Sequence, residues 1–128
     1  MTEKSIARFA ETFGAFQEKR ILLYGTGSNA KTIVERYDDS YRLLGILSFT
    51  AVDSILFGKH TFGAEDLEGL SPDLIIVTEK DGNDQKLLAC AGNIAIYDLE
   101  GKRLDQKAAI RKNGIDAQEE RKRKIKVN

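Results

Sequence analysis

Residues 21–32, ILLYGTGSNAKT, decide the fold. Ile21, Leu22, Leu23 and Tyr24 form a short apolar run suited to a parallel strand buried on both faces. Gly25 and Gly27 follow at once, and residues 30–37 then have helical character. A strand that turns on glycines into a helix leaves unpaired N–H groups at the helix start. These face the strand's carboxyl end, where a phosphate can sit. The stretch indicates a class of ligand but no reaction.

Two phosphate motifs can be drawn through it. Gly25-Thr26-Gly27-Ser28-Asn29-Ala30 fits G-x-G-x-x-[G/A], the dinucleotide fingerprint, in its required place after a strand and before a helix. Gly25 would make the tight turn, Gly27 would admit backbone to a phosphate, and Ala30 would let the helix pack close to the sheet. The acid expected about 20 positions on is replaced by Ser48, with Phe49 beside it, and Asp53 lies too far down a loop. That weakens an NAD reading, and no arginine there suits a 2′-phosphate. The same residues, GTGSNAKT, nearly make G-x-x-x-x-G-K-[ST], in which Lys31 would contact phosphates and Thr32 would hold Mg²⁺. Ala30 stands where that loop needs glycine, and Asp98 is the one candidate for its second acid. The flanking strands favour the Rossmann alternative. A turn that binds nothing and only permits close packing is the third.

Working outward, residues 3–18 place Ile6, Phe9, Ala10, Phe13 and Phe16 on one helical face, with Thr2 as N-cap and Gly14 a weak point. This stripe is core packing or, alternatively, the face of a homodimer through Phe9, Phe13 and Phe16. Residues 42–49, RLLGILSF, read as a second strand, and 50–59 as an irregular loop with an apolar patch at 55–57. A short strand over 60–62 and a brief helix over 64–70 follow. Ser71-Pro72 stops the helix before DLIIVT at 73–78, the clearest strand. A helix over 83–91 ends at Gly92 and leads to a fifth strand at 94–99. The expected fold is α/β, a three-layer Rossmann-like parallel sheet of about five strands with an extra N-terminal helix. The organisation is a helix over 1–18, a Rossmann-like domain over 19–104, and a basic linker or the start of a further domain over 105–128.

Ligands in such sheets lie outside the carboxyl ends of the strands, which brings Thr78, Glu79 and Lys80 beside the glycine turn. Thr78 could donate to a phosphate or ribose, and Lys80 could supply charge. The candidate binding residues are Gly25, Thr26, Gly27, Ser28, Asn29, Lys31, Ser48 and Thr78. His60 is the sole histidine and lacks metal-ligand spacing. Cys90 sits on an apolar helix face and reads as buried and inert. No nucleophile, acid or base can be assigned, and no metal is expected.

The 128 residues suit one domain, with no apolar run of membrane-spanning length and no signal-like N-terminus. A lone cysteine fits a reducing cytoplasm. The net charge of zero hides an asymmetry: 16 acids and 10 bases over 1–100, against 4 acids and 10 bases over 101–128. The basic run 121–124 lacks interleaved aromatics, which argues against nucleic acid.

The segments YGTGSNAKTI, LLGILS, FGKHTFGAEDLEGLSPDLIIVTE and IAIYDLEGKRL, within about 19–104, resemble small Rossmann-like modules of bacterial surface-polysaccharide enzymes. One type is the N-terminal domain of sugar-nucleotide acetyltransferases. Another precedes haloacid-dehalogenase-like or glycosyltransferase domains in capsule or teichoic-acid pathways. The resemblance implies a nucleotide-sugar site at Gly25, Thr26, Gly27 and Ser28. It also implies a downstream catalytic domain to which this module is accessory. The aspartate common after the second strand of these modules is Ser48 here.

Overall fold

The computed structural model describes residues 1–50 and 52–104. The basic linker or further-domain start expected over 105–128, with its basic run 121–124, lies outside the described residues.

Helix α1 (Glu3–Phe13) starts on a capping box. Ser5 N–H donates to Thr2 Oγ1 at 3.1 Å, and Thr2 N–H donates back to Ser5 Oγ at 2.9 Å. The α-helix stops at Gly14, and a 3₁₀ turn (Gly14–Phe16) carries the chain to strand β1 (Arg20–Tyr24). Helix α2 (Ser28–Tyr37) begins two residues earlier than the pattern suggested. Strand β2 (Arg42–Leu47) follows, then β3 (Ile55–Leu56), β4 (Lys59–Phe62) and a 3₁₀ turn (Ala64–Asp66) that runs into α3 (Leu67–Leu70). Strand β5 (Leu74–Val77), helix α4 (Asp84–Ala91) and strand β6 (Ala95–Asp98) complete the described order.

The sheet runs β3-β4-β2-β1-β5-β6. Every pairing is parallel except β3 with β4, so the architecture is an α/β fold around a mixed, mostly parallel sheet of Rossmann-like order. The additional strand β3 lies in the stretch expected to be irregular. It joins β4 through Phe57 and Gly58, at φ 55° and 77°, the two positive angles of the hairpin turn that matches strand twist.

Side chains alternate across β1, and so the sheet divides the core in two. Ile21 and Leu23 pack with Phe9 and Phe13 of α1 and Ile33 and Val34 of α2. Leu22 and Tyr24 face Leu67 of α3 and Leu87 and Ala91 of α4. The start of β1 is tied to that of β5: Arg20 N–H donates to the Asp73 carboxylate, and Asp73 N–H donates to Arg20 O, each at 2.8 Å. These bonds set the register that brings the carboxyl ends of both strands level.

Helix α1 is part of this core. The Phe9 ring lies 4.9 Å from Phe13 and 5.0 Å from Tyr37, and Tyr37 Oη donates to Ile6 O at 2.6 Å. Phe16 is only partly buried, against Tyr97 of β6 at 5.5 Å. Ala10, expected on the same stripe, is exposed. Phe9 and Phe13 are 1% and 0% exposed, packed in the core beside Ile21 and Leu23 of β1. Phe13→Ala is expected to cost about 3–5 kcal/mol by chemical denaturation, with unchanged mass by light scattering.

Candidate functional site

The path of the chain creates one crevice. From β1 it steps to β2 and β4 on one side, then crosses back to β5 on the other. Between the carboxyl ends of β1 and β5 lies the topological switch point, where open α/β sheets take ligands. The glycine turn sits there.

Its geometry follows from three anchors. Gly25 N–H donates to Leu47 O of β2 at 3.2 Å. Thr78, just past β5, donates twice to Tyr24 O, through its N–H at 2.9 Å and its hydroxyl at 2.8 Å. Asn29 Nδ2 returns a bond to Thr78 O at 3.0 Å. The backbone is thereby held against β5 with no space for side chains. A Cβ on Gly25, at φ 130°, would overlap Thr78 Oγ1, and one on Gly27 would overlap the Glu79 carboxylate. Gly27 is the N-cap of α2 and offers no capping side chain, while Ala30 is fully buried beneath the turn.

The predicted residues divide by what they touch. Gly25, Thr26, Gly27 and Ser28 form the turn itself, with Thr26 and Ser28 exposed. Asn29 is a strut, its amide nitrogen donating to Thr78 O just past β5. Thr78 is 2% exposed, and its hydroxyl hydrogen is committed to Tyr24 O. Lys31 is exposed on the first turn of α2. Ser48 follows β2, where its hydroxyl accepts from Thr50 N–H at 3.1 Å. Lys80 is exposed. In the alternative nucleotide-hydrolase motif, Thr32 would hold magnesium, but its hydroxyl donates to Ser28 O at 2.9 Å. Asp98 Oδ1 accepts N–H bonds from Glu100 and Lys102 within its own turn, at the end of edge strand β6.

Residues absent from the motif complete the crevice. Tyr24 Oη donates to Asp81 Oδ2 at 2.6 Å and accepts from Asn83 Nδ2 at 3.3 Å. Burial, then the bond to Asp81, pushes the Tyr24 phenol up to about 12. Burial would raise Asp81 too, but the bonds from Tyr24 and Asn83 outweigh it and hold the carboxyl below its usual range. Phe49 lies 5.3 Å from the Tyr24 ring and carries the Lys86 ammonium 4.7 Å from its centroid.

A cavity of about 90 Å³ opens on the turn, between Gly25, Thr26, Ser48, Glu79 and Asp81. It is too small for a nucleotide, whose pockets run to about 300–1,000 Å³. A larger space of about 410 Å³ adjoins it over the ends of β2 and β4 and shares Ser48, Phe49 and Thr50. A third, of about 250 Å³, lies beyond Thr78 and Glu79 towards β6.

Comparison of the chain with protein-family models, with curated proteins and with solved structures finds no match in any of the three.

Elsewhere, His60 is exposed on β4. Cys90 is half-buried, less enclosed than its helix face suggested. Its thiol donates to Leu87 O, and burial pushes its pKa up. Among the described residues, no cluster of three or more His, Cys, Asp or Glu could hold a metal ion. No described helix is long and apolar enough to cross a membrane.

Gly25→Ala meets a positive φ and a buried hydrogen-bonded hydroxyl, so it should lose about 2–4 kcal/mol of unfolding free energy. Gly27→Ala, at φ −99° and facing only the end of a flexible side chain, should stay within about 1 kcal/mol. In alkaline titration of phenol absorbance, one tyrosine should ionise near 12, and Tyr24→Phe should remove that step. A raised phenol favours the folded state below its unfolded pKa of 10.0. Its contribution should fade as pH climbs from there towards 12.

Proposed function

We propose that this chain is a nucleotide- or nucleotide-sugar-binding accessory module of a bacterial protein that builds cell-surface polysaccharide. The observation that carries this reading is the glycine turn at the switch point between β1 and β5, opening an α2 start without a side-chain cap. The first N–H groups of a helix have no partners within it, and together with the helix dipole they favour phosphate. The ligand's phosphates would lie over Gly27, Ser28 and Asn29, with Lys31 as a nearby cation. Its remainder would occupy the 410 Å³ space past Ser48 and Phe49. The motif likeness of 19–104 to sugar-nucleotide modules supports the ligand class. The lone cysteine supports a cytoplasmic setting. Chemistry would belong to a partner or downstream domain, because no described group is arranged as nucleophile and base.

A second reading, a Rossmann-like scaffold that binds nothing, has one specific observation in its favour. Thr78 and Glu79 already fill the spaces that the glycines leave open. An NAD-binding reading is weaker, because Ser48 leaves the end of β2 without an acid for the ribose.

Calorimetric titration with UDP-sugars, NAD(H), CoA and ATP separates these. The expected result is saturable binding of a UDP-sugar, lost in Gly27→Val, whose branched side chain would occupy the phosphate position. Absence of binding to all four, with Gly27→Val also neutral for the activity of the parent protein, would sink the proposal. A mass that rises with concentration would then point to the scaffold.

A further inference from the structure

The loop that joins β5 to α4, residues 79–83, crosses the crevice between two fixed ends. Before it, Thr78 is bonded twice to Tyr24 O; at its far end, Asn83 O accepts from Leu87 N–H of α4 at 2.9 Å. Glu79, Lys80, Asp81, Gly82 and Asn83 include no apolar side chain, so hydrophobic burial does nothing to hold the loop down. Among the described residues, the side-chain bonds that reach from it to the sheet both end on one atom. Tyr24 Oη donates to Asp81 Oδ2 at 2.6 Å and accepts from Asn83 Nδ2 at 3.3 Å. The other oxygen of Asp81 accepts Asn83 N–H at 3.1 Å, which braces the carboxylate towards the phenol.

The loop is also a wall. Glu79 and Asp81 line the 90 Å³ cavity on the glycine turn, and Glu79 and Lys80 line the 250 Å³ space towards β6. Each space alone is smaller than the pockets of about 300–1,000 Å³ that small organic ligands occupy.

We propose that residues 79–83 form a strap across the crevice, latched by the Tyr24 hydroxyl, and that releasing the latch opens the small cavity on the turn into the space towards β6. Gly82 is the hinge, because it sits at φ 84° with open space where a Cβ would stand. Opening breaks one short charge-assisted bond and one longer neutral one. Neither partner is left dry. Asp81 is exposed and regains water, and the cavity beside Tyr24 has room for a water to take the vacated place on the phenol. The floor stays in position, since Gly25 N–H on Leu47 O and the Thr78 bonds to Tyr24 O involve no atom of the strap. The device does not depend on which ligand the turn takes.

The test compares the full chain with Tyr24→Phe, which deletes one oxygen, and with Asp81→Ala, a change at an exposed position that keeps the test open if the buried substitution unfolds the chain. The bond itself is read by alkaline titration: in Asp81→Ala the Tyr24 phenol should ionise below its native value of about 12. The strap is read by amide order parameters, which at 80–83 should fall from about 0.85 to below about 0.6 in both variants, with Ile75 and Ile76 of β5 unchanged. Access is read by a small soluble nitroxide, which should broaden the Gly25 and Glu79 amide signals more in the variants than in the native chain. An unmoved phenol, or a loop as rigid in both variants as in the native chain, would overturn the latch. A loosened loop with unchanged broadening at Gly25 would overturn the opening, because the strap would then cover nothing.

Discussion

The structure of the site depends on one carbonyl. Tyr24 O, the last of β1, accepts both the N–H and the hydroxyl of Thr78, at 2.9 and 2.8 Å. Two donors on one acceptor pull the end of β5 tightly against the end of β1. The hydroxyl then occupies the volume where residue 25 would carry its Cβ. Glycine at 25 follows from this approach, and so does the positive φ that swings the chain off the sheet towards α2. Asn29 closes the loop by donating to Thr78 O, so the start of α2 is positioned by β5 as well as by β1. The turn is rigid because three separate elements share its hydrogen bonds.

That rigidity needs a sheet held firmly at its other end and a helix held firmly above it. Arg20 and Asp73 exchange bonds at the start of β1 and β5, which sets the shared register. Above, α1 grips α2 through Phe9 on Tyr37, Tyr37 Oη on Ile6 O, and the exposed pair Arg36–Glu3 at 2.6 Å. The aromatic contacts contribute most here, since an exposed ion pair is worth about 0–1 kcal/mol. An N-terminal helix that reads as an appendage is therefore part of the framework that fixes the glycine turn.

Much of this was legible in the sequence, for a simple reason. Strands buried on both faces must be apolar throughout, so ILLY and DLIIVT stand out, and glycine marks the turn between strand and helix. The hairpin β3–β4 was not legible. Its turn places Phe57 in the left-handed region that asparagine or glycine normally announces, leaving only Gly58 as a signal. Ala10 illustrates the limit of periodicity, which locates a face but not the width of the surface that covers it. The Tyr24–Asp81–Asn83 bonds join residues more than fifty positions apart, and no local pattern reports them. Sequence order brought Thr78 to the turn, but it could not tell whether the hydroxyl faced a ligand or Tyr24 O.

The electrostatics of the crevice limit how a phosphate could be held there. Thr78 has committed its hydroxyl hydrogen, Asn29 has committed an amide hydrogen to Thr78 O, and Ser48 is engaged with Thr50. Glu79 and Asp81 add negative charge around the small cavity, and Lys31 lies outside it, exposed on α2. Side chains therefore offer an anion little, and any affinity would have to come from backbone N–H groups and the field of α2. Backbone donors read charge and shape but not the identity of a base or sugar. Discrimination would have to come from the wider space past Phe49, where an aromatic face, a lysine ammonium and the acids Glu65 and Asp66 meet. On the proposed reading, phosphate capture and ligand choice would be separated along the crevice. Ser48 would mark the boundary between them, because a ribose there would meet a hydroxyl already hydrogen-bonded to its own loop.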